Sequence, residues 1–154
     1  MTPEEEISLL GLNIPKGRSA PLGSYIPITK TDNLIFISGQ IPIDLESNEL
    51  KHKGKVGIDI SIEEAQKAGI VCCLNAFFHI KNFINHLEKV KKIVKVTGYV
   101  NCKEDFTEHP KVIDGASDFL IKIFGEKGRH TRVAIGVNSL PLDASLEMDF
   151  IIQI

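Results

Sequence analysis

Apolar and polar residues alternate through the last quarter of the chain, from Gly128 to Ile154. In the final run, five apolar side chains share one parity: Leu146, Met148, Phe150, Ile152 and Ile154. The opposite parity is mostly polar and carries Glu147. Because successive side chains of a strand point to opposite faces, this run predicts a strand with one oily face and one mostly polar face.

A second run with the same alternation precedes it and contains an arginine. One parity holds Val133, Ile135 and Val137, and the other holds Arg132, Ala134 and Gly136. The connection between the two runs, residues 138–143, contains proline, asparagine and aspartate, which favour a turn over a regular element. The pattern predicts that Arg132 and Glu147 both point away from the oily side of the sheet. The small neighbours of Arg132 leave room for a ligand beside it.

Periodicity and end signals predict five further elements upstream. The first two are a short helix from its N-cap Thr2 to about Leu10 and a hairpin over residues 25–38 that turns at 31–33. A long amphipathic helix then begins with a capping box at Ser61 and runs to about Leu87. The last two are a strand from Val90 to Cys102 and a helix from Val112 to Phe124. The stripe of the long helix that faces the core is predicted to include Phe83, and the oily parity of the strand to include Val94. Residues 34–38 are apolar on both parities, which predicts a strand covered on both faces. Residues 44–59 are predicted to form a polar loop.

These elements give the order ββαβαββ in a single α+β domain over residues 1–154, with residues 1–20 as an N-terminal extension. Two helices packed on the oily face of a mixed sheet would complete a two-layer domain. The other face would carry Arg132, Glu147, Thr97, Tyr99 and Asn101 among small and apolar residues such as Ala134, Gly136 and Ile151. A flat, partly apolar surface of this kind favours association with copies of the same chain, and ligand clefts are expected between them.

Composition excludes several classes of function. The formal net charge of -2 gives no general electrostatic reason to bind nucleic acid or an anionic membrane, and the chain has no tryptophan to stack on bases. No apolar stretch approaches the roughly 20 residues that span a bilayer. The acidic N-terminus is unlike a secretory signal, so a cytoplasmic protein is expected. The three cysteines form neither a disulfide framework nor a metal-binding spacing, and buried reduced thiols are the expected role.

Two motifs in the chain resemble a known family. Residues 37–42 read Ile-Ser-Gly-Gln-Ile-Pro, and Arg132 through Glu147 fit the pattern R-x(7)-LP-x(5)-E. Both are similar to signatures of the Rid family of reactive intermediate deaminases, also called the YjgF family and once described as L-PSP endoribonucleases. The resemblance covers the chain from roughly Pro21 to its end. It implies a chorismate-mutase-like ββαβαββ fold, homotrimers closed around the bare face of the sheet, and three sites at the subunit interfaces.

The resemblance implies two catalytic residues. Arg132 matches the arginine that forms a bidentate pair with a substrate carboxylate, a geometry that suits a planar guanidinium. Glu147 matches the acidic residue that positions and activates the hydrolytic water. The alternatives are structural: Arg132 could pair with Glu147 or with an acidic residue of a neighbouring subunit, and Glu147 could form an ordinary interface ion pair. His130 is expected to be structural rather than an acid or base.

The resemblance also implies a set of substrate-binding positions. Tyr25 matches an aromatic residue that borders the site, although a role as an interface anchor is equally open. Ser38 and Gly39 lie in the first motif, where bare backbone at the glycine would approach the ligand. The backbone around Val133 and Ala134 would supply an amide donor.

Two departures from the family pattern bear on the activity. Ala134 stands where typical deaminases have a cysteine, and Pro110 stands where they have an asparagine. With its long loop and its N-terminal extension, the chain resembles a longer subgroup of the family. The first functional hypothesis is hydrolysis of small 2-imino acids to 2-keto acids and ammonia, with no metal and no organic cofactor. The second is a module that binds small carboxylates without turnover, and an endoribonuclease fits the composition least well.

Overall fold

The computed structural model describes residues 1–17 and 20–154; Arg18 and Ser19, in the predicted N-terminal extension, lie outside the described residues. The three α-helices are α1 (Pro3–Leu9), α2 (Ile62–Ile84) and α3 (His109–Phe124). Short 3-10 turns lie at Leu87–Lys89, Gly125–Gly128 and Pro141–Asp143. No helix within the described ranges is both long and apolar enough to cross a bilayer.

The strands form one large sheet and one small hairpin. In chain order they are β1 (Ile28–Thr31), β2 (Leu34–Gln40), β3 (Ile43–Asp44), β4 (Glu49–Leu50), β5 (Lys92–Asn101), β6 (Thr131–Val137) and β7 (Leu146–Gln153). The large sheet has the order β1-β2-β7-β5-β6, with β5 and β6 parallel and the other pairs antiparallel. The predicted mixed sheet and element order are confirmed. The β3–β4 hairpin lies in the segment predicted as a loop, and its two-residue strands are too short to leave an alternating pattern.

The predicted N-cap residues Thr2 and Ser61 cap α1 and α2, but the described hydrogen bonds at α2 do not include the return bond from the Ser61 amide to the Glu64 carboxylate that a capping box requires. Thr2 and Glu5 form a reciprocal capping box at the start of α1, with the Thr2 Oγ accepting from the Glu5 amide at 3.2 Å and the Glu5 carboxylate accepting from the Thr2 amide at 2.7 Å. The Ser61 hydroxyl accepts from the Glu64 amide at 3.1 Å at the start of α2. These bonds satisfy amide groups that would otherwise lack partners in the first turn.

Helix α2 is buried around most of its circumference over residues 72–80, where it packs on α3 and on the sheet. The prediction that Phe83 lies on the buried stripe is wrong, because the last turns of α2 reach solvent and Phe83 is exposed. The prediction that Val94 lies on the oily face of β5 is also wrong. A register shift between Ile93 and Lys95 moves Ile93 to the core and leaves Val94 only half-buried.

The side chains of β6 lie on the opposite faces of the sheet from those that the sequence predicts. The parallel register pairs Val96 with Arg132 and Gly98 with Ala134, and these β5 residues lie beneath the helices. Arg132 and Ala134 therefore face α3, as does Gly136, whereas Val133 and Ile135 point to the uncovered side. The alternation was predicted correctly but assigned to the wrong faces, because the more apolar parity of this edge strand is the one that the helices leave uncovered.

The uncovered side of the sheet, called the open sheet face below, is partly apolar. It consists of Phe36, Thr97, Tyr99, Val133, Ile135, Glu147, Asp149 and Ile151. Phe36 is 37% exposed, so in a single chain β2 is not covered on both faces as predicted. Asn101 shares the parity of Tyr99 and pairs with Val137 of β6, as its predicted face requires, but its side chain is buried instead of bare, and its Oδ1 accepts from the Lys55 Nζ at 2.9 Å.

Gly98 fixes the distance between β5 and α3. A Cβ built on Gly98 would overlap the Ile113 Cδ1 atom and lie 2.7 Å from its Cγ1, and Ile113 is fully buried. We expect Gly98→Ala to lower the free energy of unfolding by about 1–3 kcal/mol, because overpacking strains a dense core. Urea denaturation measures this change. Ile113→Val in the same background removes the closest atom and should recover part of the loss; a Gly98→Ala variant as stable as the wild type would refute the contact.

Candidate functional site

Four of the predicted site residues surround one cavity at the edge of the open sheet face. Tyr25, Ser38, Gly39 and Glu147 line this cavity, which has a volume of about 490 Å³, together with Leu22, Ile41 and Pro141. The SGQ segment of β2 and the start of β7 contribute its polar atoms, and the LP segment contributes Pro141. The two sequence motifs therefore meet in space through the pairing of β2 with β7.

Gly39 admits the carboxylate of Glu147 against the backbone of β2. A Cβ on Gly39 would lie 2.6 Å from the Glu147 Oε1 atom and 3.0 Å from its Cδ. The register of β2 on β7 shifts between Ile37 and Gln40, so this glycine lies in a bulged part of the strand. Any side chain at Gly39 would force Glu147 to move. The glycine is needed for a close approach, as the sequence predicts, but the group that approaches in the single chain is the carboxylate.

Ser38 and Tyr25 form hydrogen bonds that stabilise the wall of the cavity. The Ser38 hydroxyl donates to the Ile26 carbonyl at 2.7 Å, and the Leu22 amide donates to the Tyr25 hydroxyl at 3.3 Å. The ring of Tyr25 remains about half exposed at the mouth of the cavity. Because the Ser38 proton is already used, Ser38 supports the loop that carries Tyr25 and offers a ligand only its lone pairs.

The carboxyl group of Glu147 has an environment that suits a general base. Burial raises the pKa of Glu147 above its usual value, and the nearby charge of Asp149 raises it further. Asp149 accepts a hydrogen bond at 2.9 Å from the hydroxyl of Tyr99, whose own pKa is raised, chiefly by burial. A carboxylate with a raised pKa is a stronger base than an ordinary surface glutamate.

Arg132 lies on the opposite side of the sheet, where it contacts α3. Its Nη1 donates to the Asp114 Oδ1 at 2.8 Å and to the Ser117 hydroxyl at 3.1 Å, and its Nη2 donates to the Pro110 carbonyl at 3.3 Å. The arginine side chain is 24% exposed, and that of Asp114 is 52% exposed. The ion pair is therefore in contact with water and contributes little to stability, typically about 0–1 kcal/mol.

The guanidinium retains an unused edge. Within residues 1–17 and 20–154, its Nε donates to no partner, and Nη2 uses one of its two hydrogens. These two nitrogens form the side-on edge of a guanidinium, which matches the two oxygens of a carboxylate. Asp114 and Ser117 hold the other edge and fix the plane of the group. The pairing with Asp114 thus leaves the donors that a substrate carboxylate requires.

Behind Arg132, a short hydrogen-bond chain reaches His130. The His130 Nδ1 lies 2.6 Å from the Gly128 carbonyl, which can only accept, so Nδ1 carries the proton. Nε2 then accepts from the Ser117 hydroxyl at 2.9 Å, and the Ser117 oxygen accepts from Arg132. Burial lowers the pKa of His130, with smaller contributions from nearby charges such as Arg132, which keeps the ring neutral. His130 therefore supports Arg132, in agreement with its predicted structural role.

Sequence reasoning missed the two α3 residues that hold Arg132. Asp114 and Ser117 are three residues apart on one side of a helix, which is a signal for a shared partner. That signal does not identify the partner, because Arg132 comes from a strand far along the chain. Val133 points its side chain to the open sheet face, and Ala134 is half-buried under α3.

The predicted site residues thus fall into two groups on opposite faces of the sheet. Glu147 with Tyr25, Ser38 and Gly39 lies on the open side, and Arg132 with Ala134 lies on the helix side. A single chain cannot offer Arg132 and Glu147 to the same small ligand. Within the described residues, no cluster of three or more His, Cys, Asp or Glu side chains is arranged to hold a metal ion.

Comparison with known proteins places this geometry in a family. Residues 4–152 match the family model described as YjgF/chorismate mutase-like, putative endoribonuclease. The chain belongs to this family. The family match begins well before the residues that carry the two motifs, and it includes α1. The predicted membership of the Rid, or YjgF, family and the predicted fold are confirmed.

Proteins similar to this chain carry different names. Protein TCP17 of Trypanosoma cruzi is 32% identical over 146 residues, which cover 94% of this chain and 89% of TCP17. The 2-iminobutanoate/2-iminopropanoate deaminase of Dermatophagoides farinae is 26% identical over 135 residues, which cover 87% of this chain and 88% of the deaminase. The crystal structure of a putative endoribonuclease from Shewanella oneidensis superposes with a TM-score of 0.94 at 32% identity and covers 100% of both chains.

Proposed function

We propose that this Rid-family protein hydrolyses small 2-imino acids to 2-keto acids and ammonia, at sites that are each shared by two chains of a homotrimer. The observation that carries the proposal is the division of the site residues between two faces. Arg132 and Glu147 can reach one ligand only if the helix side of β6 in one chain meets the cavity of Glu147 in the next. The name of the Dermatophagoides farinae relative supports the reaction class.

On one side of the shared site, β6 binds the carboxylate of the substrate. The Nε and Nη2 atoms of Arg132 pair with its two oxygens, which fixes both the charge and the orientation of the substrate. Strand β6 pairs only with β5, so alternate amides on its other edge point away from the sheet. An amide near Val133 or Ala134 on that edge supplies a further donor, and it requires no side chain at Ala134.

On the other side of the site, Glu147 activates water. The carboxylate removes a proton from a water molecule, whose oxygen forms a bond to the imine carbon while the second C=N electron pair moves to the nitrogen. Glu147 returns the proton to that nitrogen, and the hydroxyl proton of the adduct then passes to the nitrogen as the C–N bond breaks, which releases ammonia and leaves the keto acid. An imine carbon is already electrophilic, so orientation, water and a base are sufficient for this chemistry. Tyr25 covers the mouth of the cavity, and the raised pKa of Glu147 makes its carboxylate an effective base.

The open sheet face provides a surface on which copies of the chain can associate. Val133 and Ile135, at 38% and 42% exposure, lie on it at the β6 edge, and Phe36 lies on it on the far side, on β2. Large exposed apolar side chains on one surface are typical of an interface. Glu147 lies on the same face, so burying this face in a trimer brings the cavity of Glu147 to a subunit boundary.

We expect Ile135→Glu to prevent trimer formation, because it places a charge among the apolar side chains of the face that the trimer buries. Analytical ultracentrifugation should give three times the 17.0 kDa chain mass for the wild type and the mass of one chain for the variant. Leu9→Glu is the matched control, since Leu9 is exposed on α1 and lies outside the open sheet face. An Ile135→Glu protein that remains trimeric would exclude this surface as the interface.

The reaction is tested by coupling the protein to a pyridoxal-phosphate-dependent threonine dehydratase. We expect faster release of 2-ketobutyrate and ammonia when the wild-type protein is present. Calorimetry with 2-ketobutyrate on the same preparation tests the alternative function, in which the site binds a small carboxylate without turnover. Binding of 2-ketobutyrate without faster product release would identify a binding module instead of an enzyme.

The endoribonuclease description of the family has a separate test. RNA cleavage that persists in Arg132→Ala would support it.

A further inference from the structure

A second cavity lies at the carboxyl ends of the parallel strands β5 and β6, next to the first turn of α3. It has a volume of about 680 Å³, and it shares no lining residue with the cavity of Glu147. Cys102, which follows β5, and His109, which begins α3, both line it. Small-ligand sites commonly form at this edge of parallel strands. None of the roles proposed above uses these two residues.

Cys102 and His109 form a contact pair inside this cavity. The Cys102 Sγ lies 3.5 Å from the His109 Nε2, and the imidazole packs edge-on against Phe106 with ring centroids 5.2 Å apart and an interplanar angle of 90°. Gly136 makes room for the pair, because a Cβ there would lie 3.0 Å from the Sγ and closer still to the His109 Nε2. The strand, the helix and the aromatic ring together fix the imidazole beside the thiol.

The surroundings keep the thiol protonated but support its anion. Burial raises the pKa of Cys102, while the charge of Lys55 and a hydrogen bond from the Val137 backbone lower it in part. Lys55 is held in place because its Nζ donates to Asn101 and to the Asn138 carbonyl. A thiol beside an imidazole is activated when the imidazole accepts its proton, as in other pairs of nucleophile and base.

We propose that Cys102 and His109 form a nucleophilic thiol site that accepts a small anionic carbonyl or imine compound. The sulfur adds to the carbon of the C=O or C=N bond, and the S–H proton passes through His109 Nε2 to the oxygen or nitrogen. The addition has no leaving group and needs no oxidant. Lys55 and Lys103 outweigh Glu104 in the charge of the lining. Because Lys103 is paired with Asp105 at 3.3 Å, Lys55 is the cation that favours an anion beside the thiol.

The other two cysteines serve as internal controls. Cys72 and Cys73 are fully buried in α2, and burial raises the pKa of both thiols. Neither should react in the folded protein. Reactivity confined to Cys102 would therefore report the cavity rather than the number of thiols in the chain.

The test measures alkylation of the full-length protein by 3-bromopyruvate, in which the S–C bond replaces C–Br and bromide leaves. Peptide mass spectrometry follows each cysteine, N-acetylcysteine amide is the reference thiol, and bromoacetone is the uncharged probe of similar shape. We expect Cys102 to react at least about tenfold faster than the reference thiol, and we expect this rate ratio to be larger for 3-bromopyruvate than for bromoacetone. The His109→Gln substitution should lower the alkylation rate of Cys102 at least about tenfold.

Gly136→Ala provides a second variant, because the added methyl group displaces His109 from the sulfur. It should lower the alkylation rate of Cys102 as His109→Gln does. Thermal melting reports whether each variant remains folded. The proposal is overturned if Cys102 in the wild type reacts no faster than the reference thiol. It is equally overturned if the folded His109→Gln and Gly136→Ala variants react at the wild-type rate, and an equal excess for both probes would refute the preference for an anion.

Discussion

Replacing Arg132 by lysine should lower kcat/KM for the imine released by a threonine dehydratase by about 100-fold, because a lysine cannot make the two parallel charge-assisted hydrogen bonds of a guanidinium. Most of the loss should appear in KM, since the carboxylate is bound in both the ground state and the transition state. The measurement is keto-acid and ammonia release at fixed dehydratase and varied amounts of this protein.

The matched control for this prediction is Arg129→Lys. Arg129 lies three residues earlier, is exposed, and forms a surface ion pair with Glu126 at 2.9 Å. Its replacement should leave kcat/KM unchanged. The Asp114→Asn variant should have an intermediate effect, because the guanidinium keeps its side-on edge but loses the ion pair that fixes its plane. If Arg132→Lys and Arg129→Lys behaved alike, Arg132 would be a structural residue that joins β6 to α3.

Replacing Glu147 by glutamine should lower kcat by about 100-fold to 10,000-fold, because the amide has the same shape but cannot accept the proton of water. Asp149→Asn is the matched control on the same strand and face. Asp149 accepts from Tyr99 and lies outside the Glu147 cavity, so the activity of this variant should stay within severalfold of the wild type. Equal losses in the two variants would show that the open sheet face needs its charge for assembly and not for catalysis.

The pH dependence follows from the raised pKa of Glu147. Glu147 acts as a base only when ionised, so kcat/KM should fall as the pH drops through this pKa, and the fall should begin at a higher pH than for an ordinary glutamate. Asp149 is the second cause of the shift, so Asp149→Asn should move this acidic limb to lower pH. Glu147→Gln should remove the limb. A limb that is unchanged in Asp149→Asn would mean that another group controls it.

The sequence was sufficient for the elements and their order, because alternation and capping are local properties. Thr2 and Ser61 begin helices as their chemistry predicts, and β7 alternates as expected. It was not sufficient for which face each side chain occupies. An edge strand such as β6 can turn its apolar parity to a surface that only a second chain covers, and a single residue of register shift beside Val94 reverses the parity of β5.

The site residues were predicted only in part, because some of their contacts follow from strand pairing and others depend on how the helices pack. Ser38, Gly39 and Glu147 lie in two motifs that are joined by one antiparallel pairing, so their proximity follows from the fold. The contacts of Arg132 with Asp114 and Ser117 depend on how α3 packs on β6, which no local pattern encodes. The Cys102–His109 pair was missed because its two residues come from separate elements and each alone is unremarkable.

The sharing of one site between two chains is tested most directly by mixing two impaired variants. Arg132→Lys and Glu147→Gln chains, unfolded together in equal amounts and refolded, should form trimers in which about a quarter of the interfaces combine an intact Arg132 from one chain with an intact Glu147 from its neighbour. We predict that the mixture, assayed at a substrate concentration below KM, recovers about that fraction of wild-type deaminase activity, whereas each variant alone retains about a hundredth of it or less. A refolded trimeric mixture that is no more active than its components would contradict the shared site.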